Sequence, residues 1–125
     1  MHIPKKTMYL CLMYSKELLK GTLQTIILKL LSENGRMYGY EITQKVKEMT
    51  AAELILTEGA LYPTLHKLES KGLLVTEKEV VSGRTRKYYS LTPAGSEETV
   101  SKLAEFESFI KVMGLILNPK SATNA

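Results

Sequence analysis

Three cationic side chains, Arg84, Arg86 and Lys87, fall within four residues of one short stretch of the sequence. Gly83 precedes them, and the hydroxyl of Thr85 lies between them. Guanidinium and ammonium groups on a flexible backbone suit contacts with phosphate oxygens or entry into a narrow minor groove of DNA. A solvated turn that happens to be basic has the same composition, so the surrounding elements must decide between the two interpretations.

Residue types that carry catalysis or bind metals are scarce. The only histidines are His2 and His66, and the only cysteine is Cys11. The sequence has no glycine-rich phosphate loop and no nucleophile paired with a base, so we expect no enzymatic activity, no cofactor and no metal site. A single cysteine cannot form an intrachain disulfide, which fits a cytoplasmic protein, and no apolar run is long enough for a membrane span.

Hydrophobic spacing predicts two helices in the first part of the chain. Apolar residues recur at helical spacing over 18–31, and the pair Asn34-Gly35 ends this first helix. A second helix is predicted over 38–49. Its apolar face consists of Tyr38, Ile42, Val46 and Met49.

A third helix is predicted after Thr57, which is a suitable N-cap, and it ends at Gly72. Three leucines form its inward stripe, namely Leu61, Leu65 and Leu68. Pro63 lacks an N–H group and crowds the preceding turn. The helix is therefore expected either to begin near Ala60 or to have a distorted first turn.

Two strands and a long helix complete the chain. The strands are predicted over 73–81 and 86–91, joined at Ser82-Gly83 as in a hairpin. Thr92 caps the final helix, which starts with a proline and runs to about Leu117. The predicted divisions are an N-terminal extension (1–15), a DNA-binding unit (16–92), a dimerisation helix (93–118) and a disordered tail (119–125).

This order of elements predicts a mainly α fold with a small β-hairpin wing, a winged helix-turn-helix followed by a long C-terminal helix. In such a fold one helix enters the major groove of DNA and the wing reaches the phosphate backbone. The third helix leaves Tyr62, Thr64, His66 and Lys67 off its leucine stripe, and all four can bond to phosphates or base edges. The alternative is an ordinary polar helix surface.

Four segments of the sequence closely resemble PadR-type transcriptional regulators. They are LLKGTL (18–23), YGYEI (38–42), EGALYPTL (58–65) and GRTRKYY (83–89), followed by Leu91-Thr92 and Gly95. The resemblance implies a homodimeric repressor that contacts double-stranded DNA through 62–67 and 84–87. It therefore adds Pro63 to the candidate DNA-binding residues of the third helix. Glu58 departs from the family pattern, in which a proline is common at that position.

The final helix carries a heptad seam that predicts a second chain as partner. The seam consists of Leu103, Phe106, Ile110, Met113 and Leu117. A domain of this size does not easily cover so much apolar surface by itself, whereas a partner chain would. We therefore expect a homodimer, which would bind a palindromic operator. The alternative is that the helix folds back on its own domain.

Some members of the family bind aromatic or drug-like effectors near the dimer interface, so a small hydrophobic or aromatic effector is a further expected partner. Phe106 and Phe109 are candidates to line its pocket, although aromatic residues at helical spacing more often belong to the core. Two other functions stay open at this point, a winged helix that binds protein and a regulator of the MarR type. The latter usually has longer flanking helices than this length allows.

Overall fold

The computed structural model describes residues 14–120. In chain order the elements are α1 (Lys16–Asn34), β1 (Met37–Tyr38), α2 (Gly39–Met49), α3 (Glu58–Ser70), β2 (Leu74–Val81), β3 (Arg84–Leu91) and α4 (Pro93–Leu117). The predicted winged helix-turn-helix with a long C-terminal helix is confirmed. None of the helices within the described range is long and apolar enough to cross a membrane.

Short polar side chains begin three of the four helices. The hydroxyl of Thr57 accepts the N–H of Ala60 at 3.2 Å, and that of Thr92 accepts the N–H of Gly95 at 3.0 Å, as expected for N-caps. Ser15 does the same for Leu18 at 3.0 Å, so a residue assigned to the extension starts the first helix. The rest of the extension, 1–13, lies outside the described residues.

Helix α3 begins at Glu58 and continues through Pro63, so the alternative of a start near Ala60 is wrong. Pro63 leaves the carbonyl of Gly59 without its helical donor, but Gly59 is exposed and water can bind there. The three leucines of the inward stripe are completely buried. Their burial, at about 1.5–3 kcal/mol for each side chain, outweighs one missing hydrogen bond.

The core lies where α1, α2, α3 and the sheet meet. Its largest fully buried side chains are Ile27, Leu28, Leu31, Ile42, Leu61, Leu65 and Leu68. Ile42 and Val46 of α2 are buried as predicted, but Met49 is 63% exposed, so its assignment to this face is wrong. Met49 is the last residue of α2, where the helix leaves the core.

The sheet has three antiparallel strands in the order β1–β3–β2. Strand β1 was not predicted, because two residues are too short for any periodicity; Met37 pairs with Tyr89 and Tyr38 with Tyr88. Ser82 and Gly83 have φ angles of 50° and 79°, which suit a two-residue hairpin turn. This turn places Arg84 opposite Val81, so β3 starts two residues earlier than expected.

Helix α4 has its buried residues, Gly95 and Thr99, in its first half. A Cβ atom at position 95 would overlap the carbonyl oxygen of Leu73, so only glycine permits this close approach. Thr99 is buried and donates its hydroxyl to the carbonyl of Gly95 at 2.7 Å. The helix ends at Leu117, and 119–120 are again helical after Asn118. The predicted disorder of 121–125 falls outside the described residues.

Candidate nucleic-acid interface

A groove of about 1000 Å³ lies between α3, the β2–β3 wing and the first residues of α2. Seven of the nine predicted DNA-binding residues line this groove: Tyr62, Pro63, His66, Arg84, Thr85, Arg86 and Lys87. Tyr38, Gly39 and Tyr40 also line it, and the sequence did not mark them as site residues. The fold therefore brings two separately predicted patches to one surface and adds a tyrosine-rich wall.

The two remaining predicted residues, Thr64 and Lys67, do not line the groove. Thr64 is half-buried and donates its hydroxyl to the carbonyl of Ala60 at 3.0 Å. Its hydroxyl hydrogen is therefore already used within α3. Lys67 is exposed and lies one residue after His66, on the outer side of the helix.

Helix α3 presents its polar face outward because the leucine stripe occupies the opposite side. At 100° per residue, Ser70, Pro63 and Gly59 lie farthest from the stripe and His66 comes next, and all four are exposed. The phenol of Tyr62 lies against the first turn of α2, where a Cβ atom on residue 39 would be only 2.7 Å from its Cζ atom. Gly39 therefore allows Tyr62 to hold α3 close to α2.

The three cations of the wing differ in their surroundings. The side chain of Arg84 is exposed, and its guanidinium has no hydrogen bond or ion pair within residues 14–120. The guanidinium of Arg86 lies 4.4 Å from the ring centroid of Tyr38, and its interaction with the side chain of Tyr88 raises the pKa of Arg86. Lys87 is held more loosely, with Nζ 3.8 Å from Oε1 of Glu69.

Two of these cations lie over aromatic rings, Arg86 over Tyr38 and Lys87 over Tyr89, whose ring centroid is 5.6 Å from Nζ. Tyr38 stacks with Tyr40 at 6.4 Å between centroids and meets Tyr88 edge to face at 5.4 Å. Tyr89 lies at the floor of the groove, and its burial raises the pKa of the phenol, with the negative charge of Glu69 as a smaller cause. Cations stacked on such rings keep their N–H groups available at the edges.

Arg36 was also missed by sequence reasoning. It follows Gly35 after α1 and bonds to Glu77 and Glu79 on the wing, 41 and 43 residues away. Its guanidinium also lies 4.1 Å from the ring centroid of Tyr88. No local signal pairs an isolated arginine with two glutamates so distant in sequence.

The C-terminal half of α4 forms a second surface of a different kind. Of the predicted seam, Leu103, Phe106 and Met113 are half-buried, whereas Ile110 is 54% and Leu117 is 76% exposed. Phe109, Val112, Leu115 and Ile116 are exposed as well. A shallow depression of about 320 Å³ lies between α1 and α4, with Leu18, Phe106 and Phe109 among its lining residues.

The part of the chain that the structure describes contains no group of three or more His, Cys, Asp or Glu side chains placed to hold a metal ion. The arrangement instead combines exposed cations, hydroxyls and aromatic rings around an open groove. Such groups bind phosphates and base edges through hydrogen bonds and charge. The groove is therefore the candidate interface for a nucleic acid.

Comparisons with known proteins identify the family. The model of the transcriptional regulator PadR-like family matches residues 27–101. A transcriptional regulator from Mycobacterium tuberculosis is 40% identical over 80 residues, which cover 64% of this chain and 71% of that protein.

Solved structures give the same result. A transcriptional regulator from Clostridium thermocellum aligns with a TM-score of 0.72 and 33% identity, over 78% of this chain and 95% of that one. A PadR family transcriptional regulator from Eggerthella lenta aligns with a TM-score of 0.70 and 28% identity, over 82% and 87%.

Proposed function

Because this chain belongs to the PadR-like family of transcriptional regulators, we propose that it represses transcription as a homodimer bound to a palindromic operator. The family is one of DNA-binding regulators and not of enzymes. The observation that carries the proposal is the groove, in which the cations of the wing face the exposed side of α3.

In the proposed complex α3 enters the major groove of DNA. Tyr62, Pro63 and His66 line the groove from this helix, and the exposed Lys67 lies beside them. Histidine and lysine side chains at the surface of a recognition helix can reach base edges or flanking phosphates. Thr64 contributes less than predicted, because its hydroxyl hydrogen is engaged by α3 itself.

The wing supplies the phosphate and minor-groove contacts. Arg84 is its main cation, since its side chain is exposed and its guanidinium has neither a hydrogen bond nor an ion pair within residues 14–120. Arg86 and Lys87 add charge from positions already ordered by aromatic rings and Glu69. Thr85 is exposed between them and can donate its hydroxyl to a phosphate oxygen.

The homodimer forms through α4. Between Phe109 and Leu117 large apolar side chains are exposed around most of the helix. A helix that is apolar on nearly all sides is stable in water only when something covers it. A second copy of the same helix covers it under twofold symmetry, with the seam Leu103, Phe106, Ile110, Met113 and Leu117 as its centre.

Release from the operator by a small hydrophobic or aromatic effector is part of the proposal. The depression between α1 and α4 supports it, because Phe106 and Phe109 lie in its wall beside Leu18. A ligand there would touch both the dimerisation helix and the DNA-binding unit. The proposed location is the cytoplasm, where such a regulator meets its DNA.

Selection of bound duplexes from a random pool tests the function. We expect enrichment of a palindromic motif whose half-sites are centred about 34–36 Å apart or a multiple of that distance. A mobility-shift assay with the enriched duplex and with a scrambled one then measures specificity. Failure to enrich or shift any duplex at low salt would reject DNA binding and favour the alternative of a winged helix that binds protein.

A further inference from the structure

The wing carries two carboxylates on the same face as two of its cations. In an antiparallel pair, residues directly opposite each other share a face of the sheet. Glu79 is opposite Arg86, and Glu77 is opposite Tyr88. Both carboxylates therefore lie beside the side chains proposed to approach DNA phosphates, where a negative charge is unfavourable.

One arginine from outside the wing pairs with both carboxylates. The two terminal nitrogens of Arg36 bond separately, Nη1 to Oε1 of Glu77 at 2.8 Å and Nη2 to Oε2 of Glu79 at 2.7 Å. The guanidinium also lies on the ring of Tyr88, 4.1 Å from its centroid. The hydrogen bond to Glu79 is the largest cause that raises the pKa of Arg36.

Unlike Arg36, Arg86 does not bond to the carboxylate that lies opposite it in the sheet. Side chains directly across an antiparallel pair are within ion-pair reach, so the register makes Glu79 an available acidic partner for Arg86. The charge of Glu41 also acts on Arg86, but as the smallest of the causes that raise its pKa. Arg86 instead lies 4.4 Å over the ring of Tyr38, at the wall of the groove, while Glu79 bonds to Arg36. The carboxylate that could bind Arg86 is thus held elsewhere.

We propose that Arg36 is a positioning residue for DNA binding, which neutralises Glu77 and Glu79 and so leaves Arg86 at the groove to meet phosphate. This inference rests on the proposed function, because it assigns a role to a residue that acts through the wing. Arg36 itself bonds to the wing and does not line the groove.

Removal of Arg36 frees both carboxylates. In Arg36→Ala we expect Glu79 to pair with Arg86 across the strands and the affinity for the selected duplex to fall about three- to tenfold, the combined size of two exposed charge interactions. The salt slope of binding should also decrease by about one, because Arg86 no longer displaces a counterion.

A second substitution separates this role from direct contact with DNA. Arg36→Ala/Glu79→Gln has the net charge of the wild type and no carboxylate opposite Arg86. We expect its affinity and salt slope to return to within about twofold and about half a unit of the wild type. Arg36→Ala/Glu33→Gln is the matched control, because it removes a carboxylate of α1 that pairs with Lys29, and it should stay as weak as Arg36→Ala.

The measurements are fluorescence-anisotropy titrations of full-length protein at several salt concentrations, with thermal unfolding to verify the fold of each variant. No rescue by Glu79→Gln, or equal rescue by Glu33→Gln, would overturn the inference. If Arg36→Ala unfolds, Arg36→Gln replaces it in every variant, since glutamine keeps part of the side chain over Tyr88 but lacks the charge that neutralises both glutamates.

Arg84→Ala/Arg86→Ala, measured alongside, keeps the inference distinct from the function. If that variant weakens binding and Arg36→Ala does not, the positioning role is wrong and the function stands. If neither weakens binding, both the positioning role and the proposed use of the wing are wrong.

Discussion

The groove beside the wing and the C-terminal half of α4 are both exposed, but they expose different chemistry. The groove presents arginine, lysine, histidine and phenol groups, which water can solvate in the free protein. The second half of α4 presents Phe109, Ile110 and Ile116, each more than half exposed, together with other apolar residues. Water cannot solvate that surface favourably.

The groove is therefore a surface that is stable without a ligand, whereas the apolar end of α4 is not. A charged groove can remain open until a polyanion arrives, and the polyanion then displaces counterions. An apolar helix end is instead expected to need cover at all times, and the proposed partner chain would supply it. We therefore expect the dimer to form before DNA binds and to fix the distance between the two grooves.

Identical leucine truncations in the two regions should have the most different results. Leu65→Ala, under the groove, should lower the free energy of unfolding by about 2–5 kcal/mol, because Leu65 is completely buried and its loss leaves a cavity. Leu117→Ala should change unfolding little and weaken dimerisation, since Leu117 is 76% exposed in the single chain. Urea denaturation and sedimentation measure the two effects, and a near-neutral Leu65→Ala would contradict the assigned inward face of α3.

A charge in the apolar surface should affect DNA binding from a distance. Ile110→Asp places a carboxylate in the proposed seam, yet it should leave the single chain folded because Ile110 is 54% exposed. We expect monomers in sedimentation and a loss of operator affinity of about hundredfold or more, since the second half-site no longer binds in the same complex. Ser108→Asp, on the opposite side of α4, is the control and should remain dimeric. Tight binding of a palindromic site by a wild-type monomer would refute the dimer.

Within the groove, the wing cations Arg84 and Lys87 should differ as their surroundings do. Arg84→Ala should weaken binding to specific and non-specific duplexes alike by roughly three- to tenfold and lower the salt slope by about one. Lys87→Ala should have a smaller effect, because Lys87 already interacts with Glu69 in the free protein. Titrations at several salt concentrations measure both. An effect of Lys87 equal to or larger than that of Arg84 would show that ion pairing in the free protein does not rank these cations.

The smallest expected effects belong to α3. His66→Ala and Lys67→Ala should each reduce affinity for the selected duplex a few-fold, without a change in unfolding, because both side chains are exposed. His66 lines the groove and Lys67 does not, so His66→Ala should reduce discrimination against a scrambled duplex more. Equal loss on both duplexes for His66→Ala would assign His66 to phosphate contact instead of base recognition.

The helices and the hairpin follow from local features of the sequence. Thr57 and Thr92 cap helices because a hydroxyl reaches an N–H three residues ahead, and that relation needs no distant partner. The leucine spacing of α3 and the Ser82-Gly83 turn are equally local, so both were predicted. The exposure of Met49 was not predicted, because the burial of this residue depends on where α2 leaves the core.

The sequence by itself thus determined the order of elements, the inward face of α3 and the basic tip of the wing. Only the tertiary structure decided how these parts meet. It placed Tyr62 against Gly39, formed β1 from two residues, and joined Arg36 to Glu77 and Glu79 across more than 40 residues. Periodicity and capping act between residues a few positions apart, whereas such contacts exist only after chain closure brings distant segments together.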